Sequence, residues 1–178
     1  MSERTLRIFD GSTAIITGGA SGIGRALGEE LARCGSEVVL ADRQIVLAEE
    51  VASHIRTAGG KATAAELDVT DFSNLESLLQ EIAQRSGRLD YMFNNAGIEI
   101  TGPARLHRIE DWNLTIDVNL RGVVHGVQAA YPIMLDQGFG HIVNTASLSG
   151  LTPGSGNITY VATKQAVVGL STVLRAEA

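Results

Sequence analysis

Short apolar runs rich in β-branched residues alternate along the whole chain with longer segments of helical period. We predict strands at 13–18, 37–42, 62–68, 90–95 and 140–146. Helices are predicted at 22–34, 44–58, 72–86, 108–136 and from 157 to the end. Repeated strand–helix units build a parallel sheet with helices on both faces. The predicted fold class is therefore α/β, a doubly wound, Rossmann-like sheet in three α/β/α layers.

The first predicted helix illustrates the helical period. Ile23, Leu27 and Leu31 recur every fourth residue, so we expect them to form one apolar stripe against the sheet. Gly35 follows in the position where glycine commonly ends a helix. In a doubly wound sheet the ligand crevice lies beyond the carboxyl ends of the strands, and we predict it between the first and fourth strands.

Composition limits the protein class. The 178 residues are expected to form one domain, 1–178, and the net charge of −6 comes with interspersed charges, which disfavours nucleic acid as a partner. No apolar run is long enough to cross a bilayer, and the amino terminus lacks the apolar core of a signal peptide. Cys34 is the only cysteine and is more simply a buried apolar residue than a nucleophile. We therefore predict a cytoplasmic protein without disulfides, metal or membrane contact.

The segment TGGASGIG, residues 17–24, joins the first strand to the first helix. Its G-x-x-x-G-x-G spacing permits a tight turn and leaves free amides at a helix start, which suits a pyrophosphate. A glycine-rich turn alone is equally typical of an ordinary tight loop. The residues predicted here to contact a cofactor are Gly18, Ser21, Gly22, Ile23 and Gly24.

Asp42 ends the second strand eighteen residues after Gly24. An acid near this distance binds the hydroxyls of an adenosine ribose and repels a 2′-phosphate, so NAD is favoured over NADP. The adjacent Arg43 could hold that phosphate and weakens the preference. Asp42 could also simply cap the following helix.

Further cofactor contacts are predicted at the ends of the third and fourth strands. Asp68 could bind the adenine amino group or cap the turn into the next helix, and Val69 follows it. We expect Asn95 mainly to hold neighbouring strands together, and Ala96 and Gly97 to form part of the cofactor wall.

Tyr160 and Lys164, in YVATK, fall four residues apart and would share one helix face. A nearby positive charge favours phenolate and would make the tyrosine an acid–base catalyst close to neutrality. The lysine could also reach the nicotinamide ribose. A tyrosine–lysine pair at this spacing is, however, most often a solvated surface pair.

Two more residues are catalytic candidates. Ser147 could donate its hydroxyl to a substrate oxygen, and Asn119 could bend the long fourth helix or hold a water between its backbone and Lys164. Taken singly, Ser147 is an ordinary loop serine and Asn119 a buried hydrogen-bonding residue.

Together these motifs resemble the short-chain dehydrogenase/reductase family over essentially the whole chain. TGGASGIG is similar to its cofactor loop, NNAG to its fourth-strand motif and YVATK to its Y-x-x-x-K signature. The resemblance implies hydride transfer between NAD and a secondary alcohol or ketone. It assigns acid–base catalysis to Tyr160, tuning and ribose binding to Lys164, substrate polarisation to Ser147, and a proton-relay water to Asn119.

Family members run to about 250 residues, so the resemblance also implies that two strands, a carboxamide wall and a substrate lid are missing here. A non-catalytic, NAD-binding or oligomerising module is therefore the alternative, and an epimerase or dehydratase a third possibility. The last helix is apolar all round from Val161 to Leu174, so we expect it to be covered either by a partner subunit, as the resemblance suggests, or by the missing carboxyl-terminal segment. We predict a homo-oligomer, a dimer or tetramer. Leu148, Leu151 and Pro153 favour a largely apolar substrate.

Overall fold

The computed structural model describes residues 9–152 and 154–178. Within them, one parallel sheet contains β1 (Thr13–Thr17), β2 (Glu37–Asp42), β3 (Lys61–Glu66), β4 (Tyr91–Asn94) and β5 (His141–Asn144). The helices are α1 (Gly22–Arg33), α2 (Ile45–Thr57), α3 (Phe72–Ser86), α4 (Ile109–Ile116), α5 (Gly122–Gln137) and α6 (Ile158–Glu177). The strand order is β3-β2-β1-β4-β5, so the topological switch lies between β1 and β4, as predicted.

The central strands are apolar at consecutive positions because helices cover both faces of the sheet. Ile15 and Val39 pack against α3 and α5 on one face. Their neighbours Ile16 and Leu40 pack against α1 and α2 on the other. Helix α6 lies beside α5 and packs on it through a smaller apolar cluster. The predicted three-layer, Rossmann-like α/β fold is confirmed.

The predicted apolar stripe of α1 is wrong at its first position. Ile23 is 69% exposed, whereas the buried positions of the helix are Gly24, Gly28, Leu31 and Ala32. The two glycines let the helix lie directly on the sheet, since a Cβ on Gly28 would be 2.6 Å from Leu40 Cδ2. Ile23 is at the helix start and lies beyond this contact. Gly35, with φ of +97°, follows the helix end as predicted.

The long helix predicted at 108–136 is not regular throughout, and it is interrupted at Asn119, the residue that we expected could bend it. It is divided into α4 and α5 by a wide π turn at Asp117–Arg121. Inside this turn the Asn119 side chain bonds to the backbone of Ile98, which belongs to a different segment. An insertion of this kind is typical of functional sites and makes room for a side chain that must leave the regular helical face.

Four strands are shorter than predicted, because β1 ends at Thr17, β3 at Glu66, β4 at Asn94 and β5 at Asn144, and the chain then turns into loops. Strand β5 lies at one edge of the sheet. Cys34 is buried, as expected for a small apolar residue. Among the described residues, every helix is too short or too polar to cross a lipid bilayer.

Candidate active site

A crevice of about 590 Å³ lies at the carboxyl ends of the strands, where β1 and β4 diverge. It brings together most of the residues that the sequence singled out for a cofactor: Gly18, Ser21, Gly22, Ile23, Asp42, Arg43, Asp68, Val69, Asn95, Ala96, Gly97, Tyr160 and Lys164. Gly24, Asn119 and Ser147 do not line it. The crevice joins the glycine turn at one end to the tyrosine–lysine pair at the other.

The glycine turn presents an uncapped helix start to this crevice. Gly18 and Gly22 have φ of +67° and +52°, conformations that favour glycine. The N-cap residue Ser21 makes no side-chain cap bond, and the first turn of α1 contains no acid. The amides and the positive end of the helix dipole are therefore available to an anion.

Gly24 contributes by close packing instead of by lining the crevice. A Cβ at this position would be 2.1 Å from the carbonyl oxygen of Gly18 and 2.7 Å from Asn95 Nδ2. Only a residue without a side chain lets the helix start approach the strand this closely. Its predicted role as a direct contact is therefore replaced by one in shaping the turn.

Asp42 connects the glycine turn to the start of α2. Its Oδ2 accepts a hydrogen bond from Ala20 N at 3.1 Å, and its Oδ1 accepts one from Gln44 N at 2.9 Å. These bonds fix the orientation of the carboxylate. Because each oxygen has a second lone pair, both can still accept a bond from a ligand hydroxyl.

Asp68 is held by its own turn. Its Oδ1 accepts bonds from the backbone N and the hydroxyl of Thr70, at 2.9 and 2.8 Å. These bonds, together with the weaker attraction of Arg43, hold the pKa of Asp68 below its usual value. The turn-capping alternative is thus seen, and the residue also lines the crevice.

Asn95 ties three strands together. Its Nδ2 donates to Thr17 O at 3.0 Å, and its Oδ1 accepts from Thr145 Oγ1 at 3.3 Å. The hydroxyl of Thr17, which the sequence analysis missed, accepts bonds from the backbone N of Asn95 and of Ala96. The end of β4 is thereby fixed against β1, and a Cβ on Gly97 would be 3.3 Å from Asn119 Oδ1 and 3.7 Å from Lys164 Nζ.

Tyr160 and Lys164 lie together on the first two turns of α6. The Lys164 Nζ lies 5.6 Å from the centre of the Tyr160 ring. Lys164 is only 3% exposed, and its ammonium donates a 2.6 Å bond to the carbonyl oxygen of Thr145. Burial lowers the pKa of Lys164. The pair therefore places a desolvated positive charge beside a phenol.

Replacing Lys164 with Met should remove a pH-dependent penalty on stability. Because burial lowers the folded-state pKa of Lys164, the unfolded chain binds this proton more readily than the folded chain. The penalty is fully present below the folded pKa and disappears as pH rises toward the unfolded value of 10.5. In urea unfolding from pH 7 to 10, wild type should therefore gain stability relative to the variant.

The matched control for that series is Lys61→Met, which removes the only other lysine, an exposed residue at the start of β3. A constant difference between wild type and Lys164→Met over the whole pH range would contradict a desolvated ammonium at position 164.

Asn119 connects the π turn to two other segments. Its Oδ1 accepts from Ile98 N and its Nδ2 donates to Ile98 O, both at 2.8 Å. The same Nδ2 donates to Thr163 Oγ1 at 3.3 Å, and that hydroxyl donates to Tyr160 O at 2.8 Å. Asn119 is fully buried. The side chain is therefore committed to the protein, so any water near Lys164 would have to be held through the Asn119 backbone.

Ser147 begins a short 3₁₀ turn at Leu148–Gly150. Its Oγ accepts a bond from Ser149 N at 3.1 Å, which leaves the hydroxyl hydrogen available to another acceptor. This turn packs on α6, since a Cβ on Gly150 would be 2.8 Å from Lys164 O. Leu148 and Leu151 are exposed, and Pro153 lies outside the described residues.

The crevice also contains residues that the sequence analysis did not single out: Gln44, Leu67, Thr70, Ile98, Glu99, Leu114, Asp117, Val118 and Thr145. Several directly follow strand ends, so a wider search at those positions would have found them. Those from α4 and the π turn carry no local signal, because their place in the site depends on how that helix crosses the sheet.

A family model for short chain dehydrogenases matches residues 12–178. The 2,5-dichloro-2,5-cyclohexadiene-1,4-diol dehydrogenase LinX of Sphingobium indicum is 40% identical over 157 residues, covering 88% of this chain and 63% of LinX. A short chain dehydrogenase/reductase from Burkholderia phymatum, solved in complex with NAD, is 37% identical with a TM-score of 0.92. The match covers 96% of this chain and 61% of that one.

A solved structure from Beutenbergia cavernae with bound NADP at low occupancy is 36% identical, with a TM-score of 0.88 over 94% of this chain and 67% of the other. Similar proteins thus bind either nucleotide. The chain spans about two thirds of the length of these relatives. With its parallel sheet, glycine turn and tyrosine–lysine pair, it belongs to the short-chain dehydrogenase family.

Proposed function

We propose that the protein is an NAD-dependent dehydrogenase that interconverts a secondary alcohol and the corresponding ketone. The observation that carries the proposal is the convergence of the uncapped start of α1, the Asp42 carboxylate and the Tyr160–Lys164 pair on one crevice. The first two features suit a dinucleotide, and the third suits proton transfer at the far end.

The residues present fit NAD. The turn around Gly24 leaves no space for a side chain, whereas a Cβ on Gly22 would meet nothing within 4 Å, so the backbone there is open to a ligand. The helix amides would hold the pyrophosphate, and the oriented carboxylate of Asp42 would accept the adenosine ribose hydroxyls. When bound, NAD would accept a hydride from the alcohol carbon or return it to the carbonyl carbon.

The chain's own side chains would handle the proton. In alcohol oxidation Tyr160 would take the hydroxyl proton, and in ketone reduction it would give that proton back. The buried charge of Lys164 favours negative charge on the phenol oxygen. Ser147 would donate its available hydroxyl hydrogen to the substrate oxygen. Asn119 supports this arrangement through Thr163, which bonds to the backbone of Tyr160.

A direct test is to supply NAD and a panel of secondary alcohols and to measure oxidation through the absorbance of the free NADH that forms. Turnover that releases NADH supports the dehydrogenase and opposes an epimerase or dehydratase that retains its cofactor. NAD binding by calorimetry without turnover of any alcohol would contradict the proposal and favour a nucleotide-binding module.

Asp42→Asn should change the choice of cofactor. The substitution keeps the side-chain size but removes the charge that repels a 2′-phosphate and one ribose acceptor. We expect the ratio of kcat/KM for NAD to that for NADP to fall by at least about tenfold. Asp71→Asn, at the N-cap of α3 outside the crevice, is the matched control and should leave the ratio unchanged. An unchanged ratio in Asp42→Asn would contradict the assignment.

We further propose that the chain acts as a homo-oligomer in the cytoplasm on a small-molecule alcohol or ketone. The exposure of Val173 on α6 supports an association surface on this helix.

A further inference from the structure

We propose that Glu99 selects the class of substrate, an alcohol without a negative charge that carries a further hydroxyl group close to the reacting one. The inference rests on the proposed function, because it assigns the substrate of the same crevice. Its basis is the position of the Glu99 carboxylate relative to Tyr160, together with the charges around it.

Glu99 lies in the loop after β4 and lines the crevice together with Tyr160 and Lys164. Its Oε1 accepts a 2.8 Å hydrogen bond from Asn157 Nδ2. Asn157 is the N-cap residue of α6, three positions before Tyr160. The carboxylate therefore lies at the helical turn that carries Tyr160, within the reach of a small substrate bound there.

The backbone on both sides of Glu99 is anchored. Ile98 is held by two hydrogen bonds with the side chain of Asn119, one donated by Ile98 N and one accepted by Ile98 O. On the other side, Gly102 N donates to Gly156 O at 2.7 Å, and Gly102 forms a parallel bridge with Asn157. The loop thus has fixed ends, and the carboxylate is held at one place in the crevice even though its surface is exposed.

The bond with Asn157 uses one oxygen of the Glu99 carboxylate and leaves the other available to a ligand. Within the part of the chain that the structure describes, Oε2 of Glu99 takes part in no hydrogen bond, since the contact with Asn157 uses Oε1. A carboxylate oxygen accepts charge-assisted bonds from hydroxyl groups and cannot donate one. A substrate that offers a hydroxyl there gains a bond that a simple alcohol lacks.

The surrounding charges disfavour an anionic ligand. The ammonium of Lys164 is buried and already donates to Thr145 O, so it gives little compensation to an anion at the mouth of the crevice. Asp117, another crevice carboxylate, is paired with Arg121 at 2.7 Å. A carboxylate substrate would therefore meet the charge of Glu99 with no exposed cation beside it among the described lining residues at this end.

A second hollow, of about 670 Å³, lies beside the same helix start and carries no charged side chain. Its lining includes Gly102, Pro103, Ala104, Gly156, Ile158 and Val161. These small and apolar residues leave room for the carbon skeleton of a substrate. The lining adds no charged group, so Glu99 has the dominant charge at this end of the site.

Three probes of similar size test the inference: butan-2-ol, butane-2,3-diol and 3-hydroxybutanoate, each oxidised with NAD by the full chain. Wild type should prefer the diol to both others. Glu99→Gln keeps an acceptor for Asn157 but removes the charge, so the ratio of kcat/KM for the diol to that for 3-hydroxybutanoate should fall by about tenfold or more. Glu50→Gln, an exposed charge removal on α2, is the matched control and should keep the wild-type ratio.

An unchanged ratio in Glu99→Gln, or a wild-type preference for the anion, would overturn the inference. Failure of all three probes to react would instead count against the proposed function. In that case, calorimetry of the same compounds with NAD-saturated protein tests separately whether Glu99 selects against the anion. Tighter binding of 3-hydroxybutanoate to Glu99→Gln than to wild type supports the role of Glu99, and equal affinities overturn it.

Discussion

Tyr160→Phe should lower kcat for the oxidation of a secondary alcohol by on the order of 10²–10⁴-fold. The substitution removes the hydroxyl that would accept the substrate proton but keeps the ring that lies beside Lys164 Nζ. Because the glycine turn and Asp42 are at the other end of the crevice, the affinity for NAD should change little. Steady-state kinetics and calorimetry with NAD measure the two effects separately.

Tyr131→Phe is the matched control, since Tyr131 lies on α5 and outside the crevice. It should keep the wild-type kcat. If Tyr160→Phe retained most of the activity, Tyr160 would have no part in proton transfer, and the proposed mechanism would have to be abandoned even if NAD still bound.

Gly24→Ala should weaken NAD binding by tenfold or more, which corresponds to about 1.4 kcal/mol or more of binding free energy. The new Cβ would be 2.1 Å from Gly18 O, so the helix start must move away from the strand end. Overpacking of this kind also lowers the free energy of unfolding by about 1–3 kcal/mol. Calorimetry with NAD and urea unfolding measure the two losses.

Gly169→Ala provides the comparison, because a Cβ there would meet nothing within 4 Å in the middle of α6. Alanine is the better helix former, so this variant should gain about 0.5–1 kcal/mol in stability with unchanged NAD affinity. Equal behaviour of the two variants would show that the close approach at Gly24 does not matter.

The fold was largely predictable because its signal is local. The centres of runs such as TAIITG and EVVLAD are apolar at consecutive positions, which is typical of strands covered on both faces, and these runs predicted β1 and β2 nearly to the residue. The order of the sheet followed from general rules for strand–helix units. The resemblance to the family agreed with both.

The errors occurred where packing overrides local pattern. The apolar period of α1 included Ile23, but the contact with the sheet is made through Gly24 and Gly28, which a count of apolar residues overlooks. The spacing of apolar residues in the long helix does not indicate a π turn. That turn depends on the bonds between Asn119 and Ile98, 21 residues away in sequence.

Most of the residues that form the candidate site could be predicted from the sequence. Motifs at strand ends identified most of the crevice lining, since parallel strands bring their carboxyl ends to one edge. Glu99 and Thr163 were missed because each acts through partners that only the folded chain supplies: Asn157 for Glu99, and Asn119 with Tyr160 for Thr163.

The two hydrogen bonds between the Asn119 side chain and the Ile98 backbone limit which residues can replace Asn119. An amide both gives and takes a hydrogen bond, and here it does so with the two backbone groups of one residue. Aspartate could replace only the accepting half, leucine neither, and glutamine would carry its amide one methylene too far. None of these three replacements at position 119 would therefore keep both hydrogen bonds to Ile98, whether or not the residue also holds a water.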